Sequence, residues 1–336
     1  MLKVGILGAG MIASVHAAGY KNLKDKAQVV AVADVVPEKA EKLAKDFGAK
    51  VYKDGMTLIK EADVDVIDIC LPTFLHAEHA VAACEQGRHV LCEKPMALTL
   101  EEADAMIAAA EKANVKLMIA QCLRFWPEYA LMYELIQEGS LGRPLFATGC
   151  RFSQTPSYSW NHWLLDPKLS GSAALDLHIH DVDYLTWLFG DPQQVSAVGV
   201  VDERGGVAMV DTSVTYKNGG RVSVGGGWLM PTDYPFTTEM TIYCEKGCLE
   251  FSSRAGVNIE ARDKVARGIK VYRPGQPVEV IPVEGKDAYQ TEIEYFLDCV
   301  AQDRPVDKMP PQEARRSLSV GLAAIESAKT GKPVQM

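Results

Sequence analysis

Along residues 1–120 short apolar runs alternate with amphipathic stretches. The runs are Val4–Leu7, Val29–Ala33, Val64–Leu71, Val90–Cys92 and Leu117–Ala120, and helical periodicity fills the spans near 12–22, 37–47, 75–86 and 99–113. Such alternation predicts βαβ units. Val66-Ile67-Asp68-Ile69 is nearly continuous in apolar residues, as a parallel strand covered on both faces requires. Thr99, with Glu102 three residues on, supplies a capping-box start for the last of these helices. The expected fold is α/β, with an N-terminal doubly wound parallel sheet of Rossmann type.

Beyond Gln121 the pattern changes. Trp126–Gln137 reads as a helix stopped at Gly139, and Ala173–Leu188 as another stopped at Gly190. From Val195 to about Ile281 alternating strands dominate, with a hairpin expected around Asn218-Gly219. Asp287–Val300 and Glu313–Lys329 read as closing helices. These features predict a C-terminal α+β domain built on an open, mainly antiparallel sheet. The expected division is therefore 1–120 and 121–336, with ligand binding at the junction, as is common in two-domain α/β proteins.

Composition narrows the functions this architecture serves. A chain of 336 residues exceeds one ordinary core, in line with two domains. With 48% hydrophobic and 24% charged residues it reads as a soluble globular protein. The net charge of -9 gives no general attraction to nucleic acid or anionic lipid, so an anionic cofactor must be held by local groups. The eight cysteines are scattered, which points to a reduced, cytoplasmic setting. Cys244 and Cys248 have four-residue spacing but no second pair or histidine cluster behind them, so no metal is expected. The apolar stretch at Val4–Leu7 is too short and glycine-punctuated for an export signal, and no run of about eighteen apolar residues predicts a membrane span.

Gly8, Gly10 and Ala13 fit G-x-G-x-x-G/A directly after a strand and before a helix. Gly8 permits the sharp turn, Gly10 lets backbone approach a pyrophosphate, and Ala13 lets the helix pack on the sheet. Asp34 ends the second apolar run, where an acidic side chain accepts hydrogen bonds from the adenosine ribose and repels a 2′-phosphate. Val35 and Val36 bring no compensating cation, so NAD is expected in preference to NADP.

With Gly8–Ala13 and Asp34 stand Glu93-Lys94-Pro95 and Asp176-x-x-x-His180, and on these residues the chain resembles the Gfo/Idh/MocA oxidoreductase family, the inositol and sugar dehydrogenase members most closely. The resemblance extends through Leu71-Pro72-Thr73 with His76, Arg124-Phe125-Trp126-Pro127 and Trp163-Leu164-Leu165-Asp166-Pro167. It implies reversible NAD(P)-dependent oxidation of a secondary alcohol on a sugar or cyclic polyol. It also implies that Lys94 matches the family's catalytic lysine, His180 its acid/base histidine, and Asp176 the aspartate that orients histidine or substrate. Two departures fall beside those residues: a reduced glycine cluster, Gly171-Ser172-Ala173, and His178 where glycine is frequent.

The residue chemistry suits these roles. Removing a hydride from a carbinol carbon requires loss of the hydroxyl proton, and histidine titrates near neutrality. A lysine after the fifth strand reaches the sheet's carboxyl edge and can stabilise a developing alkoxide. Asp176, His180 and Asp183, at i, i+4 and i+7, would share one face of the expected helix, with His178 on another. Expected cofactor contacts are Gly8, Gly10, Met11, Ile12, Asp34, Leu71, Thr73, His76, Glu93, Lys94, Gln121 and Arg124, with Glu93 directed at the nicotinamide ribose and Arg124 equally suited to a salt bridge. Trp160, Asn161 and Trp163 are expected to line the sugar site beside Lys94, Asp176 and His180. The alternatives are a sugar-sensing regulator that keeps NAD without turnover, and a sugar–sugar oxidoreductase that retains its cofactor. A homodimer or homotetramer is expected through the sheet domain, where Val198, Val200, Val214, Val222 and Val224 supply apolar residues to two faces.

Overall fold

The computed structural model describes residues 1–254 and 268–336, and the part of the expected strand region at 255–267 lies outside the described residues. The chain divides into two compact units, Met1–Phe125 with Lys286–Arg315, and Trp126–Gly285 with Arg316–Met336.

In the first unit β1 (Leu2–Leu7), β2 (Ala27–Ala33), β3 (Lys50–Tyr52), β4 (Val66–Ile69), β5 (His89–Glu93) and β6 (Leu117–Ala120) form a parallel sheet. Its order is β3-β2-β1-β4-β5-β6, so the winding reverses between β1 and β4, the place where such sheets open a ligand crevice. Every residue of β4 and β6 is buried, which accounts for their unbroken apolar runs. The helices are α1 (Met11–Asn22), α2 (Pro37–Lys45), α3 (Gly55–Glu61), α4 (His76–Glu85) and α5 (Leu100–Ala113). The capping box of α5 is formed: Glu102 N–H donates to Thr99 Oγ1 at 3.1 Å, and Thr99 N–H donates to the Glu102 carboxylate at 3.2 Å. The expected elements omitted β3 and α3, which at three and seven residues are too short to carry a period.

Helix α10 (Ala288–Ala301) groups with the first unit rather than with the C-terminal half to which the sequence reading assigned it. It packs on α1 and on the 3-10 turn Cys122–Phe125. Gly19 makes the approach possible, since a Cβ there would lie 3.1 Å from Ile293. Lys26 Nζ then donates to both oxygens of Asp298, at 2.7 and 2.8 Å. The boundary after Gln121 has its counterpart at Phe125/Trp126.

The second unit begins with α6 (Pro127–Gln137) and carries a nine-stranded sheet. Its strands are β7 (Pro144–Gln154), β8 (Pro192–Val201), β9 (Val207–Tyr216), β10 (Arg221–Met230), β11 (Thr237–Cys244), β12 (Gly247–Arg254), β13 (Gly268–Tyr272), β14 (Glu279–Pro282) and β15 (Val334–Gln335). The order is β14-β13-β12-β11-β7-β10-β9-β8-β15, with β7 and β10 parallel and the other pairs antiparallel. The β9–β10 turn at Asn218-Gly219 is the expected hairpin, and Gly219 takes φ +89°. The expected strand region began at Val195 and missed β7, the strand joining the two halves of the sheet. Gly149 and the buried Arg151 interrupt its apolar alternation.

Helices α8 (Ser172–Asp176) and α9 (Ile179–Phe189), with α7 (Pro167–Ser170) before them, cover one face of this sheet. Val214, Val222 and Val224 are buried on that face, whereas Val198 and Val200 point to the other and are exposed. The opposite face also carries Phe146, Thr148, Thr241, Tyr243 and Ser223 at paired positions, and no described helix covers it. The last helix, α11 (Pro311–Thr330), starts in the first unit and ends in the second.

Candidate active site

The carboxyl ends of the parallel strands carry the nucleotide-binding candidates. Gly8 takes φ +91°, and a Cβ on it would lie 2.4 Å from the Cys70 carbonyl oxygen, so this turn admits only glycine. Gly10 precedes α1, and a Cβ there would meet nothing within 4 Å. The peptide groups opening this twelve-residue helix are thus reachable by an anionic ligand. Met11 is exposed and Ile12 half-buried on the same first turn. Asp34, at the end of β2, accepts from Ala9 N–H at 2.7 Å and from Val36 N–H at 2.8 Å. The two bonds fix its carboxylate beside the glycine turn and leave each oxygen a further lone pair for a hydroxyl.

After β4 come Leu71, Thr73 and His76; after β6 comes Gln121. Thr73 and Gln121 are buried, and Thr73 Oγ1 and Gln121 Oε1 have no hydrogen-bond partner among the described residues. Buried polar atoms are nearly always satisfied, so two orphans on one strand edge fit a polar ligand such as a dinucleotide. His76 is buried with Nδ1 2.8 Å from the Pro95 carbonyl and Nε2 2.8 Å from the Leu71 carbonyl. Burial lowers its pKa, against the pull of those two acceptors.

Lys94 follows β5 directly, and the Lys94–Pro95 peptide is cis. Glu93 is turned inward instead of outward: Oε1 meets His16 Nε2 at 3.0 Å, and Oε2 accepts from Lys94 N–H at 3.1 Å. Arg124 is completely buried, pairs with Glu313 and donates from Nη1 to the Lys308 carbonyl at 3.0 Å. These contacts favour the salt-bridge alternative for Arg124.

In the second unit the single helix expected over Ala173–Leu188 is two. The His178 N–H reaches back five residues to the Ala173 carbonyl at 2.9 Å, a π-type turn that leaves Leu177 and His178 between α8 and α9. Asp176 therefore ends one helix and His180 lies in the next, so the i, i+4 argument for a shared face does not apply. Both are nevertheless half-buried, with polar interactions of their own. Their neighbours turn inward. Asp181 receives a bidentate pair from Arg151 of β7 at 2.7 and 3.0 Å, and Asp183 accepts from Ser317 Oγ at 2.8 Å. Trp160 and Asn161 are exposed on a 3-10 segment, Trp160–Leu165, in which Asn161 and His162 adopt left-handed dihedrals. Trp163 is half-buried against Leu164, Ala173, Ala208 and Trp228.

Comparison with known proteins matches residues 2–121 to an oxidoreductase family with an NAD-binding Rossmann fold, and residues 129–250 to the GFO/IDH/MocA C-terminal domain. The chain belongs to the GFO/IDH/MocA oxidoreductase family. It is 26% identical over 344 residues to myo-inositol 2-dehydrogenase of Thermotoga maritima, covering 100% of this chain and 98% of that protein. It is 35% identical over 209 residues to levoglucosan dehydrogenase of Pseudarthrobacter phenanthrenivorans, covering 59% of this chain and 53% of that one. A solved levoglucosan dehydrogenase in complex with NADH and L-sorbose superposes with a TM-score of 0.86 at 25% identity, covering 99% and 98% of the two chains. This family member is an oxidoreductase with an NAD-binding Rossmann domain.

Two buried networks of this family member escaped sequence reasoning. One is Arg151 with Asp181 and Tyr129, whose hydroxyl lies 3.1 Å from Arg151 Nη2; the other joins His16, Asp68 and Glu93. His178, which stands where the family frequently has glycine, is fully buried. Its Nε2 meets Thr212 Oγ1 at 3.0 Å, and a Cβ on Gly226 would come within 2.6 Å of Nδ1. Burial pushes its pKa down to about 4, well below the ordinary 6.5. The unfolded chain then binds more protons between those values, so this contribution to stability is present above pH 6.5 and is lost as pH falls toward about 4. Denaturant titrations are expected to show wild type losing about 2–3 kcal/mol more than His178→Gln between about pH 7 and about pH 4.5. Equal losses would contradict the burial of a neutral ring.

Proposed function

We propose that the protein reversibly oxidises a secondary alcohol of a sugar or cyclic polyol, with NAD as its redox partner. The observation that carries this reading is the row of groups at the carboxyl edge of the parallel sheet. Gly8, Gly10 and Asp34 stand at β1 and β2, the buried orphans Thr73 and Gln121 at β4 and β6, and Lys94 at β5. NAD, when bound, accepts or returns the hydride. The amides at the start of α1 hold the pyrophosphate, and Asp34 accepts from the adenosine ribose hydroxyls. In this reading Lys94 donates to the reacting oxygen and offsets its negative charge as the proton leaves. His180 takes that proton in oxidation and returns it in reduction, and Asp176 orients the histidine or a substrate hydroxyl. Trp160, Asn161 and Trp163 offer aromatic faces and an amide for a sugar ring. The inositol and anhydrosugar named in the matched relatives support a cyclic polyol or sugar as the substrate class.

In steady-state assays Lys94→Ala and His180→Ala are each expected to lower kcat by about two to four powers of ten, with NAD affinity near wild type. A variant that keeps most of its turnover removes that residue from the mechanism. In the same assay Asp34→Ser tests cofactor choice. A 2′-phosphate would bury like charges against Asp34, a penalty of about 1–3 kcal/mol, so wild type should favour NAD by roughly ten- to a hundredfold in kcat/KM. The variant should lose that preference; an unchanged ratio places discrimination elsewhere.

The uncovered face of the nine-stranded sheet is proposed to pair with a second copy, giving a dimer or tetramer. Val198 is 73% exposed and Val200 52%, and Phe146 and Tyr243 lie side by side at 6.0 Å. A flat face with such residues is ordinarily covered. Light scattering at micromolar concentration should return a multiple of the 36.7 kDa chain mass; a monomer mass refutes the pairing.

A further inference from the structure

Behind Lys94, inside the first unit, lies a closed group of ionisable side chains that the proposed chemistry does not use. His16 of α1 is completely buried. Its Nδ1 faces the Asp68 oxygens at 2.9 and 3.1 Å, and its Nε2 faces Glu93 Oε1 at 3.0 Å. Cys70 Sγ lies 3.6 Å from Nδ1, and the Tyr289 ring of α10 packs alongside at 6.2 Å between centroids. Tyr20, in α1 with His16, is a further titratable group that senses the ring. An imidazole with a carboxylate on each nitrogen donates to both only as the imidazolium. Burial opposes that charge most strongly, yet the Asp68 carboxylate carries the pKa well above the ordinary histidine value.

The contacts run on toward Lys94. Glu93 Oε2, the oxygen not facing His16, accepts from the Lys94 N–H at 3.1 Å. This bond closes a ring across the Glu93–Lys94 peptide, so the direction in which the lysine leaves β5 depends on where the Glu93 carboxylate is held. Asp68 sits within the fully buried β4, and His16 is rooted in α1. Two rigid elements thus fix the imidazole ring, and the ring holds the Glu93 carboxylate. We propose that His16 is a positioning residue that fixes the Glu93 carboxylate and, through it, the backbone that presents Lys94. The inference rests on the reading of Lys94 as catalytic, since His16 itself makes no contact with reacting atoms. A displacement of about 1 Å in a group that must meet a reacting oxygen costs on the order of a hundredfold in rate.

The test is His16→Gln in the full chain. It is expected to lower kcat about ten- to a hundredfold while the Kd for NAD, from fluorescence titration, changes less than about threefold. Removing the cation alone leaves buried carboxylates uncompensated, so His16→Gln/Asp68→Asn, which removes one charge of each sign, serves as the folding control. The double variant is expected to melt closer to wild type and still to show the kcat loss; wild-type kcat in it overturns the proposal. Two readouts need no substrate. In the wild type His16 Nε2, which faces Glu93, should carry a proton at about pH 7.5 in ¹⁵N spectra, and a bare Nε2 overturns the proposal. In the ¹³C-dimethylated protein the Lys94 resonance, assigned by its loss in Lys94→Arg, should shift in whichever His16 variant is folded; an unmoved resonance also overturns it. If that resonance moves while Lys94→Ala keeps its turnover, the catalytic reading of Lys94 fails and the positioning role of His16 stands.

Discussion

A methyl group at residue 8 would sit 2.4 Å from the carbonyl oxygen of Cys70, and the first unit is organised around that close approach. The chain leaves β1 between the ends of β2 and β4, with the Gly8 N–H donating to the Ala33 carbonyl at 2.8 Å. Only a residue without Cβ, at φ +91°, passes through. The turn then delivers the Ala9 amide to Asp34 and starts α1 with its first peptide groups uncovered. The path of α1 in turn sets His16 over Asp68 and Glu93. The uncovered start of α1, the anchored Asp34 carboxylate and the buried His16–Glu93 contact all follow from one backbone constraint.

Both units also tie helix to sheet with buried charge. Asp68–His16–Glu93 links β4 and β5 to α1, and Arg151–Asp181 links β7 to α9. Such groups contribute little net stability, because desolvation offsets much of their attraction, but removing one partner is costly. Their effect is geometric: a carboxylate held from two sides cannot wander. In α8 and α9 the inward pull of Asp181, Asp183 and His178 accounts for which polar residues point into the fold and which, Asp176 and His180, remain half-buried.

Local constraints were legible in the sequence and distant ones were not. The sharp turn at Gly8 could be read because backbone geometry dictates it directly after a strand end. The capping box at Thr99 and the stops at Gly139 and Gly190 are local for the same reason. The π-type turn at Leu177-His178 could not be read, since both residues keep right-handed dihedrals and the apolar periodicity runs on through them. Arg151 and Asp181 are 30 residues apart, and His16 and Glu93 are 77 apart, so nothing in local pattern announces either pairing. Placing α10 with the C-terminal half failed likewise: its docking on α1 depends on Gly19, a contact across most of the chain. Glu93, read as reaching for the cofactor, turned inward because a buried histidine awaited it.

The central claim is that this chain passes a hydride from a ring alcohol to an exchangeable NAD. It is tested most directly by following free NADH absorbance while the purified protein meets a panel of inositols, aldoses and keto-sugars, with NAD and then NADP in excess. The account predicts multiple turnovers with at least one ring polyol and NAD, and a kcat/KM for NADP lower by about tenfold or more. No NAD reduction across the panel, or reduction limited to a single tightly held equivalent, would contradict it.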